Sequence, residues 1–191
     1  MKITSFTKLL ASLSFFACTS LFAAPLTVDV TNVESRGLLG TPGNVVMTFD
    51  VGANSIITSL DYTVNLTAYS PSWLSELGLA FSDSRIIQGV LLPPGGAYDI
   101  AGSGTFTDTL DLVAEGLSFA VGADGILRLE FFEYFDDRSV AVDGRWNFGT
   151  FTFGVQTVDV EVPEPATGLL LGAGLALMGY AGRRTAGKAA A

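Results

Sequence analysis

The 191-residue chain contains no histidine and a single cysteine, Cys18. Histidine is the commonest general base in enzymes and the commonest ligand of Zn²⁺ and Cu²⁺, so the usual routes to both kinds of site are missing. Cys18 falls in an N-terminal leader, so removal of that leader leaves a domain without disulfides, thiolate metal sites or a cysteine nucleophile. We therefore expect a protein that is not an enzyme, with a carboxylate hydrolase as the last alternative.

Positive charge is also scarce in the central part of the chain. Between residues 24 and 161 there is no lysine, and five arginines stand against 18 aspartates and glutamates, a net charge of −13. Such a surface argues against nucleic-acid binding and against direct adsorption to anionic lipid. It suits a soluble secreted domain, a cation-binding surface, or both.

The first 23 residues have the order of charge and hydropathy of a signal peptide. Lys2 and Lys8 give a positive start, residues 9–21 are apolar, and Ala23 offers a small residue for cleavage. We expect residues 1–23 to be a signal helix that is removed after export. The stretch before Cys18 also faintly resembles a lipobox, which leaves lipidation of Cys18 as an alternative.

Residues 24–161 alternate apolar and polar positions in short blocks separated by turn residues. Leu60, Tyr62, Val64 and Leu66 would share one strand face. Trp146, Phe148, Phe151 and Phe153 would pack from another strand, with a break at Gly149. This period of two predicts an all-β domain of about eight to ten strands, an antiparallel two-sheet β-sandwich of jelly-roll-like type. Turns are predicted at 54–55, 93–96, 124–125 and 143–144. A short helix could form only at 72–79, where residues 71–73 could equally open a loop.

The C-terminal segment combines a proline-rich motif, an apolar run and a basic end. Pro163, Glu164 and Pro165 precede residues 166–182, which carry no charge, and Arg183 and Arg184 follow. Seventeen residues make a helix of about 25 Å, the short end of a transmembrane span. Cations just beyond a span favour the cytoplasmic side. We expect a membrane helix at 166–182 with a basic tail at 183–188.

Together these features, over residues 162–188, resemble the PEP-CTERM sorting signal of exported bacterial proteins, also called the ice-binding protein C-terminal motif. The resemblance implies export, retention in the membrane by the C-terminal helix, and processing by an exosortase, with Pro163, Glu164, Pro165, Arg183 and Arg184 as the sorting residues. It further implies a final location at the cell surface or in the extracellular matrix and an association with exopolysaccharide and biofilm. Ice binding does not follow from the second label.

Three aromatic residues are candidates for ligand binding by the domain itself. Tyr69 and Trp73 flank Pro71 in a predicted loop, and Tyr98 follows a Pro-Pro-Gly-Gly turn. Exposed aromatic rings of β-sandwich modules stack on sugar rings, so a carbohydrate-binding module is the alternative function. The other interpretation is that these rings close the ends of the sandwich.

Acidic residues suggest one possible metal site. Asp136 and Asp137, with Glu133 nearby in the sequence, could offer the oxygen ligands that Ca²⁺ prefers, although the spacing matches no EF-hand loop. A Ca²⁺-dependent adhesion unit is therefore a further alternative. In the plainer interpretation these are solvated loop acids and the protein needs no cofactor.

Overall fold

A computed structural model of the chain describes residues 24–137 and 141–157. These residues form ten strands and one 3₁₀ turn, with no α-helix among them. The strands are β1 Leu26–Asp29, β2 Val33–Ser35, β3 Val45–Asp50, β4 Ile56–Ala68, β5 Leu77–Asp83, β6 Gly89–Leu92, β7 Gly102–Asp111, β8 Phe119–Ala120, β9 Ile126–Glu133 and β10 Gly144–Gln156, and the 3₁₀ turn is Leu74–Glu76. The predicted signal peptide, the membrane helix at 166–182 and the sorting residues lie outside the described residues.

The strands form two antiparallel sheets. The first has the order β1-β10-β4-β7, with β2 also pairing with β10 and β8 with β4, and the second has the order β3-β9-β5-β6. Strand pairing is nested: β5 pairs with β6, β4 with β7, β3 with β9 and β1 with β10. The long strands β4 and β10 lie at the centre of the first sheet, whereas β9 and β5 lie at the centre of the second. The predicted all-β class with antiparallel strands in two sheets is confirmed.

One hydrophobic core lies between the sheets and draws on both. Across it, the rings of Phe131 and Trp146 meet edge to face at 5.2 Å, and those of Phe81 and Phe153 at 5.3 Å. Trp146 and Phe131 are fully buried. Edge-to-face pairs add to the free energy gained from apolar burial, so these contacts hold the two sheets together.

Three expectations about local structure are wrong. The segment 72–79 is not a helix, because the single 3₁₀ turn gives way at Leu77 to β5, all seven residues of which are buried. The Asp143-Gly144 pair is not a hairpin turn, because Gly144 opens β10 and Asp143 is fully buried. Phe148 does not join the core, because an irregularity in the β10–β4 pairing between Trp146 and Phe148 turns its ring outward.

Candidate functional site

The three predicted aromatic residues lie on neighbouring loops at one end of the domain. The amide of Ser75 donates to the carbonyl of Tyr98 at 3.1 Å, and the amide of Leu74 donates to that of Ile100 at 2.9 Å. These bonds join the segment that carries Tyr69 and Trp73 to the loop that carries Tyr98. The exposed fractions are 37% for Tyr69, 45% for Trp73 and 52% for Tyr98, so all three residues are available to a ligand.

Two further exposed aromatic residues belong to the same end, and the sequence analysis missed them. Tyr134 and Phe135 directly follow the last residue of β9 and are exposed. The amide of Tyr134 donates to the carbonyl of Glu76 at 2.8 Å, which ties this loop to the 3₁₀ turn after Trp73. Of the two, Phe135 could have been recognised in the sequence, because an apolar aromatic residue directly before two aspartates is unusual.

Carboxylates gather where β9 ends and β10 begins. Glu133, Asp143 and Ser72 are each fully or almost fully buried. The hydroxyl of Ser72 lies 2.8 Å from Oδ2 of Asp137 and 3.3 Å from Oδ1 of Asp143. One hydroxyl proton therefore serves two carboxylates, each of which must compete for it.

These carboxylates form an acidic cluster that comprises Glu76, Glu133, Asp136, Asp137 and Asp143, and burial raises the pKa of two members, Glu133 and Asp143. Loss of solvation raises the pKa of Glu133 to about 8, and the charges of Asp143, Glu76 and Asp137 add to the effect. Desolvation likewise raises the pKa of Asp143 to about 6, with contributions from Asp136, Asp137 and Glu76. The charges that act on Glu133 and Asp143 all come from carboxylates, so each of them favours the protonated form.

Neither carboxylate oxygen of Glu133 receives a hydrogen bond, and neither does Oδ2 of Asp143. Ser35 lies close enough to lower the pKa of Glu133, but its one proton is donated to the carbonyl of Phe132 at 2.9 Å. We therefore regard Glu133 as unpartnered.

The predicted metal ligands lie at the edge of the cluster rather than at its centre. Asp136 and Asp137 are half-buried in the loop after β9, and Asp137 reaches the cluster through Ser72. The buried members, Glu133 and Asp143, come from the ends of two strands in different sheets. The sequence gives little indication that these two acids are buried; the one sign is that Glu133 ends an otherwise apolar strand. Within residues 24–137 and 141–157, no set of three or more Asp, Glu, Cys or His side chains is already grouped closely enough to hold a metal ion.

A second buried glutamate, Glu130, shows what full pairing looks like. Burial alone would raise its pKa, but hydrogen bonds from Asn44, Arg128 and the amide of Gly40 outweigh that effect and lower it. The guanidinium of Arg128 lies 2.5 Å from Oε2, and Asn44 lies 2.7 Å from Oε1. Glu130 therefore forms a structural ion pair with Arg128. Of the two buried glutamates of β9, one has a lowered pKa and the other a raised pKa.

The outer face of the first sheet carries hydroxyl and amide groups that bond across the strands. Thr63 pairs with Thr107 at 3.1 Å, and Asn65 donates to Thr105 at 2.8 Å. A shallow groove on this face is lined by Asp61, Tyr62, Thr63, Thr107, Asp108, Thr109, Thr150 and Thr152. Because pairs such as Thr63–Thr107 bond to each other rather than point to a ligand, we assign no site to this face.

Comparison with protein families identifies the C-terminal segment. The sequence model of the PEP-CTERM protein-sorting motif matches residues 161–184. The chain carries a PEP-CTERM sorting motif. The resemblance seen in the sequence is thereby confirmed, and the motif indicates an exported protein that is targeted to the cell surface and sorted by an exosortase.

Comparisons with whole proteins add little to the PEP-CTERM assignment. No curated protein matches the chain. Among solved structures, the VP2 subviral particle of infectious bursal disease virus matches with 16% identity and a TM-score of 0.28 over 73% of this chain and 34% of that one. The Gt strain of the same virus matches with 11% identity and a TM-score of 0.29 over 75% and 36%. The chain thus spans about a third of these viral chains, and scores this low establish no shared fold.

The structure describes only the domain that precedes the PEP-CTERM motif. In the described part of the chain, no helix is long and apolar enough to cross a membrane. The predicted membrane helix at 166–182 therefore stays a prediction.

Proposed function

We propose that this PEP-CTERM protein is a non-enzymatic component of the cell surface or extracellular matrix. In this proposal the signal peptide starts export and the helix at 166–182 holds the chain in the membrane. Cleavage near Pro163-Glu164-Pro165 by an exosortase then passes the domain to the surface, where it associates with exopolysaccharide. The observation that carries the proposal is the sorting motif at 161–184, placed directly after an acidic two-sheet domain.

We further propose that the delivered domain is a jelly roll. The nested pairs β5–β6, β4–β7, β3–β9 and β1–β10 are those of a long ribbon rolled into two sheets. Such domains expose loops at both ends of the sandwich, where binding residues concentrate. Presentation of one loop end to the exterior is therefore the mechanism that we propose.

Sorting can be tested by intact-mass measurement of the surface fraction. Wild type should have lost residues 1–23 and the segment after the Pro-Glu-Pro motif. The triple variant P163A/E164Q/P165A should stay uncut in the membrane fraction, because the extended strip that a membrane peptidase could bind is gone. The exposed-acid variant E115Q serves as the control and should be processed normally. A wild-type surface protein with its full C-terminus would contradict the proposal.

A second candidate function is carbohydrate binding, favoured by one observation: Tyr69, Trp73 and Tyr98 lie exposed on neighbouring loops of one end. Aromatic rings offer an apolar face for the C–H groups of a sugar at small entropic cost. The chemistry suits a polysaccharide that is neutral or positively charged, because the surrounding surface is acidic.

Glycan binding can be separated from general stickiness by two aromatic variants. W73A should lose at least tenfold in affinity for a bound glycan on an array, whereas F148A, at a residue 55% exposed on the outer face of the first sheet, should keep it. Equal loss in both variants, or no glycan bound by wild type, would exclude this candidate.

A further inference from the structure

Glu133 presents an electrostatic problem that the described fold does not solve. Its side chain is fully buried, and both carboxylate oxygens lack a hydrogen-bond donor. A buried charge without a partner is among the costliest features a fold can carry. Natural proteins place such a group where something else completes it: a proton, a water or a cation.

Within residues 24–137 and 141–157, no arginine forms an ion pair with a carboxylate of the acidic cluster. Arg36 and Arg145 both pair with Glu34, Arg128 pairs with Glu130, and Arg85 lies 3.7 Å from Asp83. All four described arginines are thus engaged with carboxylates outside the acidic cluster. The charges that act on Glu133 and Asp143 are those of other acids.

The geometry points to a divalent-cation site, selective for Ca²⁺, built on the carboxylates of Glu133 and Asp143 and completed by Asp137 and the hydroxyl of Ser72. The two buried carboxylates supply three oxygens that have no partner. Asp137 already contacts the same hydroxyl as Asp143 does. The group as it stands falls short of a three-carboxylate site, so in this proposal the half-buried Asp137 side chain rotates to close it.

Ca²⁺ is the cation that this donor set fits. Every available donor is a hard oxygen, and the chain has no histidine to attract Zn²⁺ or Cu²⁺. Ca²⁺ accepts six to eight oxygens in flexible geometry, including hydroxyls, carbonyls and water, whereas Mg²⁺ demands a near-ideal octahedron. A site with two fixed carboxylates and one adjustable carboxylate therefore favours the larger ion.

Binding at this place would join parts of the fold that are distant in sequence. Glu133 ends β9 in the second sheet, Asp143 precedes β10 in the first, and Ser72 lies between β4 and the 3₁₀ turn. A cation held by these three residues and by Asp137 would link both sheets to the loop that follows β9. It would also fix the base of the loop that carries Trp73, although the inference stands whether or not that loop binds glycan.

Thermal unfolding of the full chain at constant ionic strength tests the site. From EDTA to 10 mM CaCl₂, wild type should gain about 5 °C in Tm with half-saturation at about 0.1–1 mM, the range of extracellular Ca²⁺ modules. Mg²⁺ at the same concentration should give less than half of that shift. E133Q and D143N should lose the response to Ca²⁺, and E133Q should be at least as stable as wild type in EDTA, because a neutral amide replaces the buried acid.

The controls separate a site from general screening of an acidic surface. E115Q and D99N remove exposed acids elsewhere and should keep the full Ca²⁺ shift. A shift that persists in E133Q and D143N, or a wild type that Ca²⁺ leaves unchanged, would overturn the inference. If either variant fails to fold, luminescence of Tb³⁺ bound to wild type decides: emission sensitised by the nearby Trp73 and displaced by Ca²⁺ supports the site, and no emission, or emission that Ca²⁺ does not displace, refutes it.

Discussion

At the scale of single residues, two buried glutamates of β9 differ in their hydrogen-bond partners and in the direction of their pKa shifts. Glu130 and Glu133 lie three residues apart on the same strand and are both almost fully buried. Glu130 receives bonds from Arg128, Asn44 and Gly40, whereas the oxygens of Glu133 receive none. Glu130 therefore belongs to a structural ion pair with Arg128, whereas Glu133 is free to bind a proton or a cation.

The raised pKa of Glu133 predicts an unusual pH dependence of stability in the cation-free protein. An acid whose pKa rises from 4.5 to about 8 on folding holds a proton in the native state that the unfolded state releases. The free energy of unfolding is therefore highest below pH 4.5, as far as this group is concerned, and falls as pH rises through 8. The loss amounts to several kcal/mol, since each pKa unit is worth about 1.4 kcal/mol.

Urea unfolding in EDTA between pH 5 and pH 9 measures this dependence. E133Q should flatten most of the slope, leaving the smaller contribution of Asp143 below about pH 7. E115Q should follow wild type. A stability that rises over this range in wild type would show that Glu133 is ionised and paired in solution.

At the scale of elements, β10 depends on a glycine that directly follows one of its irregular points. Gly149 has φ of +134°, which L-residues rarely adopt, and an added Cβ would overlap the carbonyl oxygen of Thr63. The irregularity just before it, between Trp146 and Phe148, leaves Trp146 in the core and Phe148 outside it. Glycine here lets β10 stay close to β4 on both sides of the shift.

Substitution of Gly149 should therefore weaken the first sheet. G149A is expected to lower the free energy of unfolding by about 2–3 kcal/mol, through backbone strain and the steric overlap. G37A is the control, because Gly37 has an ordinary φ and an added Cβ would meet only the side chain of Thr41 at 3.3 Å. Equal chemical-denaturation curves for the two variants would mean that β10 tolerates a side chain at 149.

At the scale of the whole molecule, the dominant property is the net charge of −13 over residues 24–161. Self-repulsion of this size favours expanded states and is screened by salt. We therefore expect the charge to favour solubility of the domain and partners that are neutral or cationic.

Salt should stabilise the protein for the same reason. In EDTA at pH 7.5, an increase of NaCl from 20 mM to 500 mM is expected to raise Tm by a few degrees, because repulsion between carboxylates weakens. At pH 4.0 the same change should have a smaller effect, since protonation of part of the carboxylates lowers the net charge. A Tm that salt lowers at pH 7.5 would indicate that ion pairs such as Arg128–Glu130 outweigh the net repulsion.

Much of the fold was predictable because strand alternation is a local property. Leu60, Tyr62, Val64 and Leu66 are all buried, as a period of two requires. Strand β5 escaped prediction because all its residues are buried, including Ser82 and Asp83, so it shows no alternation to detect. Phe148 was misplaced because the break expected at Gly149 lies earlier, between Trp146 and Phe148, and alternation alone does not fix the position of such a shift.

The sequence by itself determined the destination of this protein, its all-β class and its acidic surface. Sorting motifs are read as linear segments, alternation is read residue by residue, and charge is a sum, so none of these needs the fold. Only the tertiary structure decided that Tyr69, Trp73 and Tyr98 share one end and that Glu133 and Asp143 are buried beside Ser72. Those proximities depend on which strands pair and where each one stops, since the residues concerned come from distant segments and two different sheets.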